Sequence, residues 1–271
     1  MKAFYETRSE PFFIGEMTHS PFPLHVHGIV EMVYLLRGEC DMEIDGKPVT
    51  LRAGDAAIAF PLVPHSFDTI SEDISGLAAF FSADLIPEFA PVFHTQLPDE
   101  PVAREVKKNE DFLLAAEKLM ALPETSPSRT AYLHLLLANL LSVLKFHTAA
   151  AFHERDLGTR VVRYIYDHAC ENITLSSAAH DLGVSESHLS HLFAQQFHVN
   201  FRRFINAIRI DKAIMLMRDP YMTLTQVCYQ CGYDNARTFR RSFIRETGTL
   251  PAAYMRSARE SVKGNGAGNN K

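Results

Sequence analysis

Two sets of side chains in this 271-residue chain have the type and spacing to do chemistry. The first is His25, His27, Glu31 and His65. His25 and His27 stand two apart, so in a strand they share a face, and Glu31 follows four residues later. Three convergent imidazoles and one carboxylate suit a divalent transition metal. The same groups can instead line a barrel mouth or hydrogen-bond an organic effector. The second set is Arg237, Arg240, Arg241 and Arg245, crowded on the faces of a helical segment that Phe239 and Phe243 leave free. Arginine can donate two hydrogen bonds to guanine O6 and N7, worth about 1–3 kcal/mol of discrimination. A helix that presents arginines suits the major groove of a DNA duplex.

The arginines need a frame, and residues 223–254 supply one. Leu224, Val227, Cys228 and Cys231 recur as one apolar stripe of a short helix. Gly232 then offers the left-handed conformation that ends it, and Asp234 or Asn235 can cap the next helix. The pattern occurs twice. Thr174-Leu175, Ala178 and Gly183-Val184 align with Thr223-Leu224, Val227 and Gly232-Tyr233, at an interval of about 50 residues. Leu189, Phe193 and Phe204 then align with Phe239, Phe243 and Tyr254. Between the copies a long helix is expected from Phe201 to Met217, capped by Asn200 and stopped at Asp219-Pro220. Such a helix is a rigid spacer of about 25 Å, suited to holding two reading helices about one DNA turn, roughly 34 Å, apart. In the apolar stripe, Cys228 and Cys231 read as core rather than as a metal or redox CxxC. His188 reads as a packing residue, and Arg209 as the partner of a carboxylate or a helix end.

The histidines need strands. From Phe12 to Phe81 short apolar runs alternate with turn signals, which points to a sandwich or small barrel. Ile44-Asp45-Gly46-Lys47 fits a tight type I′ hairpin. Residues 101–122 and 128–148 read as helices, the second entered through Ser126-Pro127. Leu133, Leu136, Leu137, Leu140 and Leu144 form its seam, and Leu135 and Leu141 make other faces apolar too. A helix so apolar must be covered, by its own domain or by a second copy in a homodimer.

Charge separates the halves. Residues 1–154 carry 11 Lys and Arg against 22 Asp and Glu, and residues 155–271 carry 16 against 10. Only the second half is therefore expected to meet phosphate. The four cysteines at 40, 170, 228 and 231 form no secreted framework, and no charged-then-apolar leader pattern opens the sequence, so a cytoplasmic location is expected. The most apolar run, Ala131 to Leu144, is too short to span a bilayer, and no membrane partner is expected.

Two resemblances follow from these residues. His25, His27 and Glu31 with Gly38, then Gly54, Pro61 and His65, resemble the two motifs of the cupin family, although Thr69 stands where asparagine is usual. That likeness implies a small β-barrel in which the four residues converge as an effector site or a metal site. Residues from about 157 to 258 resemble the DNA-binding domain of AraC/XylS-type transcription regulators. They do so through Leu182-Gly183-Val184-Ser185, Phe193, Arg209-Ile210, Ala213, Cys231-Gly232-Tyr233, Phe239, Phe243, Gly248, Pro251 and Tyr254-Met255-Arg256. This implies two domains. The first, 1–148, is a cupin-like β-barrel followed by helices. A linker at 149–158 leads to an all-α domain at 159–260 with two helix-turn-helix units, and a disordered tail at 261–271 follows. It also implies a regulator, not an enzyme, with promoter DNA and a small-molecule effector as partners, acting as an activator through RNA polymerase.

The positions that match the family's reading residues are Ser187, Ser190 and His191 in the first unit and Arg237, Arg240 and Arg241 in the second, with Asn235 beside them. Arg202 and Arg203 on the long helix either touch phosphate or stand solvated. Serine reads bases ambiguously, so the second unit is expected to carry more of the direct readout. The rival reading is a cupin metalloenzyme, an oxygenase or isomerase with an accessory helical half.

Overall fold

The computed structural model describes residues 4–6, 12–17, 21–123, 126–148, 157–197 and 199–263. The chain divides into two compact units, residues 11–154 and residues 155–271 taken together with residues 1–10. The opening residues, expected in the first domain, thus belong with the helices. A two-residue strand there, β1 (Phe4–Tyr5), brings Tyr5 against the helical unit. The Tyr5 hydroxyl donates to Asp211 Oδ2 at 2.7 Å, and its ring meets Phe204 edge-on at 5.5 Å.

The unit of residues 11–154 is built from antiparallel strands: β2 (Phe12–Glu16), β3 (Phe22–Val26), β4 (Val30–Arg37), β5 (Glu39–Ile44), β6 (Lys47–Arg52), β7 (Ala56–Ala59), β8 (His65–Ile70) and β9 (Ser75–Phe81). Within this unit one sheet runs β3-β8-β5-β6. The other runs β7-β4-β9-β2 and gains β11 (Val102–Ala103) on its β7 edge. Alternation sets the faces: along β5 the side chains of Cys40, Met42 and Ile44 point inward and those between them outward. β4 is buried along its first six residues, as a central strand covered on both faces must be. The β5–β6 turn has Asp45 at φ 56° and Gly46 at φ 74°, the paired left-handed residues expected for it. One apolar core takes in the inner faces of both sheets.

The helices here are shorter than their sequence patterns. After α1 (Ala90–Thr95), β10 (Gln96–Pro98) and β11, the segment read as helical from 101 becomes helix only at α2 (Glu110–Ala121), where Asn109 caps the first turn by accepting from Phe112 N. α3 (Arg129–Val143) starts after Ser126-Pro127, with Ser128 in the capping position and no side-chain hydrogen bond. Its expected last turn is instead β12 (Phe146–Thr148), which pairs with β10. Leu133, Leu136, Leu137 and Leu140 are all fully buried in the unit's own core. At about 1.5–3 kcal/mol for each buried leucine, the seam is accounted for within one chain.

The helical unit holds α4 (Leu157–His168), α5 (Leu175–Asp181), α6 (Glu186–Leu192), α7 (Phe201–Leu216), α8 (Leu224–Gln230), α9 (Ala236–Thr247) and α10 (Pro251–Lys263). The expected linker 149–158 already contains the first residues of α4, and residues 149–156 lie outside the described residues. The expected disordered tail is helical through Lys263, and residues 264–271 lie outside the description. The duplication is plain in the caps. Thr174 and Thr223 each open a pair with a capping box, closed by Ser177 and Gln226. Gly183 and Gly232 sit at φ +70° and +77° in the two turns. Ser185 and Asn235 cap the second helices, accepting from His188 N and Thr238 N.

The repeat extends to the outer helices. Arg209 of α7 donates to the carbonyls of Ala169 and Glu171 beyond the end of α4. Arg259 of α10, 50 positions on, donates to those of Met217, Asp219 and Met222 beyond the end of α7. Each guanidinium sits just past the C-terminal end of that earlier helix, where a cation is favoured. Arg209 is thus the helix-end residue its position suggested.

Candidate functional site

In the β unit, His25 on β3 and His65 on β8 are paired across the sheet, while Glu31 lies on β4 of the other sheet and His27 follows β3. All four are buried, and their ligand atoms lie within 4.8 Å of one another. His27 Nε2 and His65 Nε2 each stand 3.0 Å from Glu31 Oε2, and His25 Nε2 stands 3.9 Å from it. The opposite ring nitrogens are fixed by main chain: His25 Nδ1 faces Pro23 O at 3.0 Å, His27 Nδ1 faces Ile29 O at 3.0 Å, and His65 Nδ1 faces Val63 O at 2.8 Å. A carbonyl only accepts, so each Nδ1 carries a proton.

The consequence is electrostatic. Burial lowers His27 to about 4, so its ring is neutral near pH 7 and its Nε2 bears a lone pair. Burial by itself would raise the Glu31 carboxyl, but the hydrogen-bonding contacts of His25, His27 and His65 outweigh it and hold the group well below its usual range. The three imidazoles therefore gather their Nε2 atoms within 3.0 to 3.9 Å of one carboxylate oxygen. A cation at the centre would draw on all four groups. The spacing suits one, because two ligands bound at right angles about 2.1 Å from an ion stand about 3.0 Å apart. The donor set, nitrogen-rich with one oxygen, fits a divalent transition metal. Among the described residues this is the one group that could hold a metal ion.

In the helical unit, α9 presents its arginines as the spacing indicates. Phe239 and Phe243 are buried with Val227, Cys228, Cys231 and Tyr233. Arg237, Arg240 and Arg241 are exposed on the opposite side. Among the described residues no ion pair or side-chain hydrogen bond within the chain engages these three. Arg245 differs, since its Nε is 2.7 Å from Glu246 Oε1. The carboxamide oxygen of Asn235 is committed to its cap. On α6, Ser187, Ser190 and His191 are exposed, as are Arg202 and Arg203 at the start of α7.

Two details of the helical unit escape the sequence reading. His188 is exposed beside His191 rather than packed, because Leu189 and Phe193 fill the interior below α6. A π-helical turn, Phe193–Phe197, follows α6 and sets Gln195 Nε2 3.3 Å from His191 Nδ1. The four-residue spacing of His191 and Gln195 was the available signal for that pair. Cys228 and Cys231 are buried in the core, with burial pushing the Cys231 thiol up to about 12, out of the range of a reactive thiolate.

Comparison with known proteins agrees with this division. A helix-turn-helix domain model matches residues 178–257, and a cupin domain model matches residues 15–77. An uncharacterized HTH-type transcriptional regulator of Staphylococcus aureus is 33% identical over 109 residues, which is 40% of this chain and 15% of that protein. The chain therefore matches only a small part of such relatives. YobQ, an uncharacterized HTH-type transcriptional regulator of Bacillus subtilis, is 20% identical over 85% of this chain and 87% of its own length. Among solved structures, the C-terminal domain of AraT, a response regulator from Geobacillus stearothermophilus, covers 38% of this chain and 86% of its own at 28% identity, with a TM-score of 0.36. No helix among the described residues is long and apolar enough to cross a membrane.

Proposed function

We propose that this chain, which matches a cupin domain model over residues 15–77 and a helix-turn-helix domain model over residues 178–257, is an AraC-type, ligand-responsive, sequence-specific activator of transcription. Its helical unit reads promoter DNA through α9 and α6, and its β unit senses the ligand. The observation that carries this reading is the trio Arg237, Arg240 and Arg241. They lie on one exposed face of a helix whose other face is core. Three such cations, without a partner among the described residues, suit the acceptors of guanine edges and the charge of a phosphate backbone. Ser187, Ser190 and His191 meet the neighbouring groove, Asn235 supplements α9, and Arg202 and Arg203 contact phosphate. Binding-site selection on a randomised duplex library tests this. Arg241→Ala should weaken the selected site far more than a scrambled one, and equal losses on both would refute the assignment.

For the β unit, His25, His27, Glu31 and His65 would hold a divalent transition metal as the effector or as the anchor of one. The support is the burial of all four residues with their ligand atoms within 4.8 Å of one another. When bound, such an ion would supply a Lewis-acidic centre for a ligand's oxygen or nitrogen atoms. Metal analysis of the purified protein, with His27→Ala alongside, is the test. Protein that is metal-free and whose thermal unfolding does not respond to added Mn2+, Fe2+, Co2+, Ni2+ or Zn2+ removes this part of the reading. The same four residues are all that favours a metalloenzyme, which would need turnover that disappears with His27→Ala.

A further inference from the structure

From Leu175 to Phe197 the first helical pair contains no lysine or arginine, so its side chains can grip a duplex only through serines, histidines and amides. The structure joins two of them. His191 and Gln195 are both exposed, and the π-helical turn holds the carboxamide nitrogen 3.3 Å from His191 Nδ1. Joined in this way, a carboxamide and a neutral imidazole leave a fixed remainder. If the amide nitrogen donates to Nδ1, then Nε2 carries the ring proton as a free donor and the amide oxygen is a free acceptor. If the amide is turned over, its oxygen accepts from Nδ1–H, Nε2 is the free acceptor and the amide nitrogen the free donor. Either arrangement shows one donor and one acceptor. In the major groove adenine offers the complement, N7 accepting beside N6 donating, whereas guanine shows two acceptors there.

We propose that His191 and Gln195 act as a single reader that selects an A·T pair in the groove met by the first helical pair. Gln195 is the specificity-determining residue, because in either orientation of its amide the pair shows one donor beside one acceptor, where the histidine ring alone would read either purine. This deepens the DNA-binding reading above and rests on it. Ser187 and Ser190 share the exposed surface of α6 and impose no competing preference, since a hydroxyl both donates and accepts.

The test is binding-site selection on a randomised duplex library with the full-length protein and with Gln195→Ala, His191→Ala and Arg241→Ala in parallel. The wild type should enrich adenine over guanine about tenfold at one position outside the guanines assigned to α9. Gln195→Ala and His191→Ala should both lose that preference, at the same position, and keep the guanines. Arg241→Ala should do the reverse. An unchanged selection in Gln195→Ala, a guanine at the position lost, or losses at different positions in the two variants overturns the proposal and leaves the DNA-binding function standing. Failure of the wild type to enrich any sequence overturns both.

Discussion

In both helical pairs a threonine opens the first helix with a capping box, a left-handed glycine ends it, and one polar side chain caps the second helix. What the second helices show to solvent is different. α9 runs for twelve residues to Gly248 and exposes three uncommitted arginines. α6 runs for seven, passes into a π-helical turn, and exposes serines and histidines. The frame of a duplicated unit is held by caps, turns and core, so its surface is free to diverge. One copy has the means to read bases with charged hydrogen-bond donors, the other only with serines, histidines and an amide.

The strongest way to probe the contrast is at the two turn glycines, which are alike in backbone and unlike in surroundings. A Cβ at Gly232 would lie 2.5 Å from the Cys170 carbonyl oxygen, whereas one at Gly183 would meet nothing within 4 Å. Gly232→Ala should therefore cost about 3 kcal/mol, combining left-handed strain with a steric clash, and Gly183→Ala only about 1–2 kcal/mol. Urea unfolding of the two variants measures this, and equal losses would mean that the turns are packed alike. Next in size, Arg241→Ala should lose about 1–3 kcal/mol of affinity for a selected site. Ser187→Ala should stay within about 0.5 kcal/mol, and a titration that ranked them the other way would invert the roles of the two pairs.

Arg203→Ala should weaken selected and scrambled duplexes alike and reduce the salt slope by about 1. A change confined to the selected duplex would make Arg203 a base reader. The smallest expected difference lies in the caps. Thr174→Ala and Thr223→Ala should each cost about 1 kcal/mol, because both side chains satisfy the same N–H of the first turn. Unequal values would show that the shared frame is itself weighted toward one copy.

The repeat, the hairpin at Asp45-Gly46 and the burial of Phe239 and Phe243 were legible because each depends on residues near in sequence: a cap, a left-handed pair, a 3.6-residue period. The four members of the histidine cluster were legible as a set, but their chemistry was not. Whether His27 Nδ1 or Nε2 bears the proton depends on the Ile29 carbonyl, and that contact appears only when the chain folds back after β3. The limits of α2 and α3 were misjudged for a related reason. Residues 146–148 have an apolar start that suits a helix, yet β10 offers them backbone partners, and pairing overrides periodicity. His188 looked like core because its neighbour Leu189 is core. Adjacent helical residues point about 100° apart, and on α6 it is Leu189 that turns inward while His188 faces water.

Helix α7 gives Arg209 to the carbonyls that follow α4 and receives Arg259 on its own trailing carbonyls. It closes the frame of one pair and opens that of the other. The bearing of each reading head is therefore set by the same rod. If the stretch of duplex between the two contacts is too long or too short, the adjustment falls to the DNA or to a repacking of the unit around that rod.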